Sequence, residues 1–327
     1  MRVAVTGCTG SFGRAFIKHV LSHELAERLV GVSRDELKQS ELMAAYPDDP
    51  APLRLVLGDV RDRSRLEQAF YGCDTVVHAA ALKRVDAVSY NPGEVVKTNV
   101  VGTENVVNAA LAAGVTRLVF ISSDKAVAPL NIYGASKALA EQIVVSANTY
   151  TYPRGLRCAV VRYGNVLGSR GSVVHRWRDQ VAMGIPLMLT DARMTRFIIT
   201  LSAAVRYVLD VLDRIEGGEI FVPVLPSVRL MDLAAAIGGD GYPIAYVGLR
   251  PGGEKLQEAL LSDDEPTRTR YLAADRALYA VAPSVCTWRD ACAGWLGTPV
   301  DPALRYVSDG GHGWLSAVDL RILLEDT

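Results

Sequence analysis

Two short stretches carry the residues best suited to chemistry: Ser122-Ser123-Asp124-Lys125, and shortly after it Tyr133-Gly-Ala-Ser-Lys137. A phenol and an ammonium four residues apart share one face of a helix. The Lys137 charge beside Tyr133 is expected to lower the phenol's pKa and let it act as a base toward a hydroxyl. Asp124 beside Lys125 supplies a carboxyl and an amine, the acid and base that an elimination needs on opposite sides of one bond. With Ser123 they form the candidate catalytic set. Tyr-x-x-x-Lys alone also describes an ordinary helix-surface pair, and Asp-Lys an exposed loop pair. Their setting favours chemistry: both follow the apolar run Leu118-Val-Phe-Ile121, and a glycine-rich turn opens the chain.

That turn, Gly7-Cys-Thr9-Gly10-Ser11-Phe12-Gly13, follows the β-branched run Val3–Thr6 and precedes a helical pattern. Glycines there permit a tight turn and close backbone approach, and a helix N-terminus offers unpaired N–H groups to a pyrophosphate. Asp59-Val60, after the third strand, is expected to meet an adenine. The second strand ends Val32-Ser33-Arg34-Asp35-Glu36-Leu37-Lys38, without the acidic terminus that would hold a free ribose 2′-hydroxyl. Arg34, with Ser33 and Lys38, suits a 2′-phosphate, so NADP is favoured over NAD. The competing reading gives the ribose to Asp35 or Glu36 and leaves Arg34 in solvent.

These parts need a sheet to position them. Val3–Thr6, Leu29–Val32, Leu53–Leu57, Thr75–His78, Leu118–Ile121 and Ala159–Arg162 read as strands, with helix-period segments such as Val95–Ala113 and Tyr133–Ser146 between them. Such alternation predicts an α/β Rossmann-type doubly wound parallel sheet. After Tyr163 glycines and prolines break the pattern, which places a nucleotide-binding domain over 1–163, with 198–223 returning to it. A smaller α/β substrate lobe takes 164–197 and 224–327. Half of the 327 residues are apolar and the formal charge is −1, which argues against nucleic-acid and membrane partners. Five scattered cysteines (Cys8, Cys73, Cys158, Cys286, Cys292) lack zinc-site spacing and read as reduced thiols, so no metal is expected. The chain enters a strand at once, which leaves no room for a signal peptide and predicts a cytoplasmic protein.

Further words recur along the chain: Ser33-Arg-Asp-Glu-Leu-Lys-Gln39, His78-Ala79-Ala80-Ala81-Leu-Lys83, Lys97-Thr-Asn99, Tyr163-Gly-Asn165, Gly168-Ser-Arg-Gly171-Ser172-Val173-Val174 and Arg193-Met194-Thr-Arg196-Phe197. On these, the chain resembles extended short-chain dehydrogenase/reductase proteins, and among them the inverting UDP-N-acetylglucosamine 4,6-dehydratases of pseudaminic acid synthesis, end to end. The resemblance implies a reaction without net redox change. Tyr133 would deprotonate the C4 hydroxyl as NADP takes the C4 hydride. Lys125 would then remove the C5 proton, Asp124 would protonate the departing C6 hydroxyl, and the hydride would return to C6. It further implies that Ala79–Ala81, Lys83 and Asn99 attend the cofactor. Lys83, Asn165, Gly171–Val173, Thr190, Met194, Arg250 and Glu254 would attend a nucleotide-sugar substrate, with Arg193 and Arg196 as a diphosphate clamp. Family members form dimers or larger homo-oligomers. His78 ends a strand and reads as a packed, hydrogen-bonded histidine.

Two departures fall at the nucleotide end. His175-Arg176-Trp177 stands where the family usually has Pro after Gly-Ser-Val-Val, and an added glycine gives Arg250-Pro-Gly-Gly-Glu254-Lys255. They leave dehydration standing and keep open another nucleotide sugar or a nucleoside. They also keep open a 5,6-dehydratase or an epimerase at C4 or C5, although a simple 4-epimerase needs no elimination pair. An NADP-binding regulator without catalysis is the reading from a different class.

Overall fold

β-Branched, apolar runs of four to six residues separated by amphipathic helices leave a chain one economical arrangement, a parallel sheet covered on both faces. A computed structural model describes residues 1–46, 52–249, 253–273, 277–289, 297–310 and 313–325. In it β1 (Arg2–Thr6), α1 (Ser11–Ser22), β2 (Arg28–Ser33), α2 (Glu36–Ala44), β3 (Leu53–Leu57), α3 (Arg63–Phe70) and β4 (Thr75–His78) alternate. Single turns α4 (Val85–Val88) and α5 (Pro92–Val95) and a π-helical stretch over Val96–Val101 lead into α6 (Gly102–Ala112). β5 (Arg117–Ile121), α7 (Ile132–Thr151) and β6 (Arg157–Val161) finish the regular half. Then come β7 (Asn165–Val166), α8 (Val173–Ala182), β8 (Leu187–Leu189), β9 (Thr195–Ile199), α9 (Leu201–Leu212), β10 (Ile220–Pro223) and β11 (Ser227–Arg229). The chain closes with α10 (Leu230–Gly238), β12 (Ile244–Tyr246), β13 (Thr269–Leu272), β14 (Leu278–Val281), β15 (Thr298–Pro299) and α11 (Ala317–Glu325).

Among the described residues the main sheet runs β15-β13-β14-β10-β6-β5-β4-β1-β2-β3, parallel from β3 to β10 and antiparallel beyond. This is the doubly wound α/β architecture. Val3–Val5, Leu29, Val30, Val76, Val77, Leu118–Phe120 and Ala159–Val161 are buried in one core, as strands covered on both faces require. The order reverses at β1, which pairs with both β2 and β4. Ligands of open α/β sheets bind in the crevice beyond the strand ends at such a switch point.

A second apolar cluster, with Trp177, Leu187, Leu189, Met194, Val228, Leu233 and Leu320, holds α8, α10 and α11 together. One expectation needs correction. β13, β14 and β15, placed by sequence in the second lobe, extend the main sheet instead, because β14 pairs with the otherwise open edge of β10. α9 and β10 belong to the main core. No helix among the described residues is long and apolar enough to cross a membrane.

One buried charge network ties the C-terminal segment to the sheet. Arg162, just past β6, donates to Glu141 of α7 at 2.7 and 3.1 Å and to Glu265 at 2.8 and 3.1 Å, and Nη1 also donates to the Leu260 carbonyl at 2.9 Å. All three side chains are buried, so removing the cation strands two carboxylates in an apolar medium. Arg162→Leu is therefore expected to lower unfolding free energy by about 3–5 kcal/mol, read from urea denaturation.

Candidate active site

The turn after β5 is built by its own side chains. Ser123 caps the short 3₁₀ turn Asp124–Ala126: its hydroxyl accepts from the Lys125 amide at 3.2 Å and donates to Asp124 Oδ1 at 2.7 Å. Backbone bonds from Ser122 to Val161 and from Asp124 to Tyr163 fasten this turn to β6 and its extension. Asn131 caps α7 by accepting from the Gly134 amide, and so fixes Tyr133 in the first turn of that helix. Gly134 lets the two pieces meet. A Cβ built there would lie 2.3 Å from the Lys125 carbonyl oxygen, so any larger residue must push α7 away from the turn.

Asp124 has no exposed surface, and its Oδ1 accepts from Lys125 Nζ at 2.8 Å. Lys125 Nζ also donates to Asn165 Oδ1 at 3.2 Å and lies 3.6 Å from Glu258 Oε1. Burial pushes the Lys125 ammonium down, but the charges of Asp124 and Glu258 outweigh it and hold the group above its ordinary value, with Arg196 opposing. Lys125 therefore rests as an ammonium. Glu258 itself is raised by burial, against the pull of Lys125, while Asp124 pushes it further up and Arg196 and Lys255 draw it back.

The phenol differs from expectation. Tyr133 lies above its ordinary pKa, because burial outweighs the Lys125 charge and the Ser123 hydrogen bond, and Asp124 adds to the rise. Lys137 does not act on it here. Its ammonium donates to the Ile121 carbonyl at 2.6 Å and lies 4.1 Å from the centre of the Phe120 ring. Helical spacing put the two residues on one face, but the lysine side chain turns to the end of β5. Burial lowers that ammonium to about 7, with Glu141 opposing.

A cavity of about 630 Å³ opens over the switch point. Gly7, Thr9, Gly10, Ser11, Phe12, Gly13, Ser33, Arg34, Lys38, Asp59, Val60, Ala79–Ala81 and Lys83 line one part, and Ser123, Lys125, Tyr133, Lys137 and Asn165 the other. The residues fit a dinucleotide. Gly7 has φ +70°, and a Cβ on it would come 2.9 Å from the backbone of Ala80. On Gly13 it would come 2.4 Å from the Gly7 oxygen. The turn is thus packed to backbone thickness, and Gly10 begins α1 without a side-chain cap, leaving its first N–H groups to a phosphate. Arg34 is exposed in this cavity, 3.5 Å from Asp59. Asp59 is occupied chiefly by Arg61, at 2.7 and 3.1 Å. Asp35 caps α2, accepting from the Lys38 amide and pairing with its ammonium, and those bonds lower its carboxyl below the usual range. Lys83 is reached by solvent, yet crowding by the cleft walls and then repulsion from Lys125 lower its ammonium.

Several expected contacts resolve differently. Asn99 is buried and spends its amide on both backbone groups of Leu82 and on Ser136, so it shapes the Ala79–Lys83 segment from behind. Arg193 and Arg196 do not form a clamp. Arg193 is exposed and paired with Asp191 at 2.7 Å, while Arg196 is buried, donating to the carbonyls of Thr195 and Leu256. The split is one of element: Arg193 sits in the turn before β9, whereas Arg196 lies within β9, every residue of which is buried. Met194 is a core residue. Thr190 is half-buried after β8, and Gly171, Ser172 and Val173 form the entry to α8, where Ser172 is the N-cap without a side-chain bond. His175 Nε2 donates to the Gly168 carbonyl at 2.9 Å. As expected, His78 is packed between Thr6 (2.7 Å) and Thr103 (3.0 Å), and burial takes it down to about 3. Glu254 is half-buried, and Arg250 and Cys292 lie outside the described residues. Among those residues no group of three or more His, Cys, Asp or Glu side chains is placed to hold a metal. Sequence reading missed Glu258, which no local pattern marks, and Arg170, which lines the cavity and was visible only inside Gly168-Ser-Arg-Gly171.

The polysaccharide biosynthesis protein family matches residues 3–277. The chain belongs to this family. This family member is 38% identical, over 332 aligned residues, to the inverting UDP-N-acetylglucosamine 4,6-dehydratase of Campylobacter jejuni subsp. jejuni serotype O:23/36 (strain 81-176), with 99% of this chain and 97% of that protein covered. Its fold is similar to the X-ray structure of Pen from Bacillus thuringiensis, with a TM-score of 0.89 at 32% identity over 100% of this chain and 98% of that one. It is also similar to DesIV, a dTDP-glucose 4,6-dehydratase from Streptomyces venezuelae solved with NAD bound, with a TM-score of 0.70, 25% identity and coverage of 78% and 86%.

The role of Gly134 is open to test in this family member. Gly134→Ala is expected to separate Tyr133 from the Asp124–Lys125 turn and lower turnover by about a hundredfold, as ångström-scale misplacement does. Dinucleotide affinity, measured by fluorescence titration, stays within a few-fold.

Proposed function

We propose that the chain is a C5-inverting nucleotide-sugar 4,6-dehydratase acting on UDP-N-acetylglucosamine, with NADP as its dinucleotide. The observation that carries this reading is the hydrogen-bonded Asp124–Lys125 pair, whose lysine lines the crevice of the glycine cradle together with Tyr133 while Asp124 lies directly behind it. Oxidation or 4-epimerisation needs a base at one hydroxyl, which Tyr133 alone supplies. A buried carboxyl in contact with a half-buried amine serves a bond that must gain a proton at one end while losing one at the other. The full-length similarity to the Campylobacter enzyme supports the substrate and the inversion. The resemblance extends to a cytoplasmic homo-oligomer.

The bound nicotinamide supplies a hydride acceptor that later serves as donor, so that C4 can be a ketone while C5 and C6 react. The protein moves the protons. Tyr133 acts in its ionised form, which burial makes scarce but strongly basic, and takes the proton of the C4 hydroxyl. Lys125 rests as an ammonium, and passing one proton across the 2.8 Å bond to Asp124 Oδ1 creates an amine and a carboxylic acid together. The amine then removes the C5 proton, which the 4-ketone has made acidic. The acid protonates the departing C6 hydroxyl, which leaves as water. The pair ends as ammonium and carboxylate, as it began. C6 then receives the hydride. C5 receives, on the face opposite Lys125, the proton that Tyr133 took from the C4 hydroxyl, which inverts C5 and returns every group to its starting state. Ser123, bonded to Asp124, braces the carboxyl throughout.

For the cofactor, Asp35 is committed to the cap of α2 while Arg34 remains exposed in the cavity, which favours a 2′-phosphate over a free 2′-hydroxyl. Arg34→Ala is expected to weaken NADP binding tenfold to a hundredfold, roughly 1.5–3 kcal/mol, and NAD binding hardly at all. Equal effects on both would argue for NAD.

For the reaction, incubation with UDP-N-acetylglucosamine should yield a product lighter by one water in mass spectrometry. Lys125→Ala and Asp124→Asn should slow water loss by about 10²–10⁴-fold while reduced-nicotinamide absorbance still appears and persists. Tyr133→Phe should suppress that absorbance as well. A Lys125→Ala enzyme that dehydrates at the normal rate would overturn the assignment.

A further inference from the structure

We propose that Glu258 is the positioning residue of the elimination pair: its buried carboxylate is the second counter-ion of Lys125 and steadies that side chain's charge as it takes the substrate proton. The inference rests on the dehydratase reading above and adds to it a residue on a different segment.

The geometry is that of a built charge site. Glu258 is 4% exposed. Its backbone is clamped, the amide donating to Ser308 Oγ at 2.9 Å and the carbonyl accepting from the Ser308 amide at 2.8 Å, while Ser308 Oγ is bonded to Thr195 at 2.7 Å. Three cations converge on the carboxylate without one reaching hydrogen-bond distance: Lys125 at 3.6 Å, Lys255 at 3.8 Å and Arg196 at 4.0 Å. Lys255 and Arg196 are anchored elsewhere, on the carbonyl of Val127 and on those of Thr195 and Leu256. Oε2 is buried with no hydrogen-bond partner. A buried carboxylate left under-bonded is costly unless its charge is used.

That use lies in the proton cycle of Lys125. When the amine takes the C5 proton, positive charge develops 3.6 Å from Glu258, in a site of low polarisability, and the attraction is stronger for the ammonium than for the amine. The charged and titratable groups around the pair are Asp124 on the same turn, Tyr133 of α7, Lys83 after β4, Arg196 of β9, and Lys255 with Glu258 on the loop before β13. Of these only Asp124 and Glu258 raise the proton affinity of Lys125. Neutralising Glu258 must then let Lys125 lose its proton at lower pH. The dyad needs that one shared proton to make its acid, so the alkaline limb of turnover must move to lower pH with it.

The test compares wild type, Glu258→Gln and Glu258→Asp by the pH dependence of water loss and by competitive acetylation of Lys125 across pH, read by mass spectrometry. In Glu258→Gln, kcat is expected to fall on the order of ten- to a hundredfold with KM nearly unchanged. The alkaline limb and the labelling midpoint move down by roughly one pH unit. Glu258→Asp retracts the charge by one methylene and moves both in the same direction by less, which keeps the test decisive if the glutamine variant fails to fold. An unmoved labelling midpoint in the folded variants overturns the proposal, whatever happens to kcat, and so does an effect on KM alone. Labelling needs no turnover. A wild-type chain that dehydrates no nucleotide sugar sinks the functional reading and leaves the midpoint to decide this one.

Discussion

A carboxylate with no exposed surface must be paired with a cation or lose its charge, and Asp124 meets this requirement through Lys125 at 2.8 Å. Much of the site exists to hold that pair. Ser123 braces the carboxylate, backbone bonds to Val161 and Tyr163 fix the turn, and Gly134 admits α7 close enough to bring Tyr133 alongside. The pair is also a store of one proton that either member can hold. Such a unit can act as acid and base in the same step and finish unchanged, which suits an elimination better than an oxidation.

The fold delivers this unit to one place. Parallel strands end on one edge of the sheet, so the loops after β1, β4 and β5 share a crevice where the strand order reverses. The glycine cradle, the Ala79–Lys83 segment and the Asp124–Lys125 turn sit on three such loops. The second cluster of apolar residues contributes from the other side: β9 carries Arg196 inward, and the loop before β13 carries Lys255 and Glu258. The two sides of the crevice meet through buried charge as well as through the main core, which takes in Phe197, Ile199, Leu260 and Leu261. That is why Glu258 touches both.

What could be read in the sequence was what local rules govern. The parallel sheet followed from buried strand runs alternating with helices, and the cradle from glycines just after β1. Asp124, Lys125 and Tyr133 stand close in sequence, so their meeting was visible. Two local inferences failed for non-local reasons. Lys137 shares a helix face with Tyr133 but finds the Ile121 carbonyl, and Arg193 and Arg196, close in sequence, fall in an exposed turn and a buried strand respectively. Glu258 and the supporting role of Asn99 depend on contacts across long stretches of chain, with Lys125 and with Leu82, which no periodicity records. The antiparallel edge formed by β13, β14 and β15 was hidden for the same reason.

The central claim is that Lys125 and Asp124 remove water across C5 and C6 after C4 is oxidised. Running the reaction on UDP-N-acetylglucosamine in deuterium oxide, with the product examined by nuclear magnetic resonance, tests it most directly. The mechanism requires one solvent deuterium at C5, because the original proton leaves to Lys125 and its replacement comes from an exchangeable side chain, and none at C6, which receives the hydride from C4. A product with protium retained at C5, or with deuterium at C6, would contradict it.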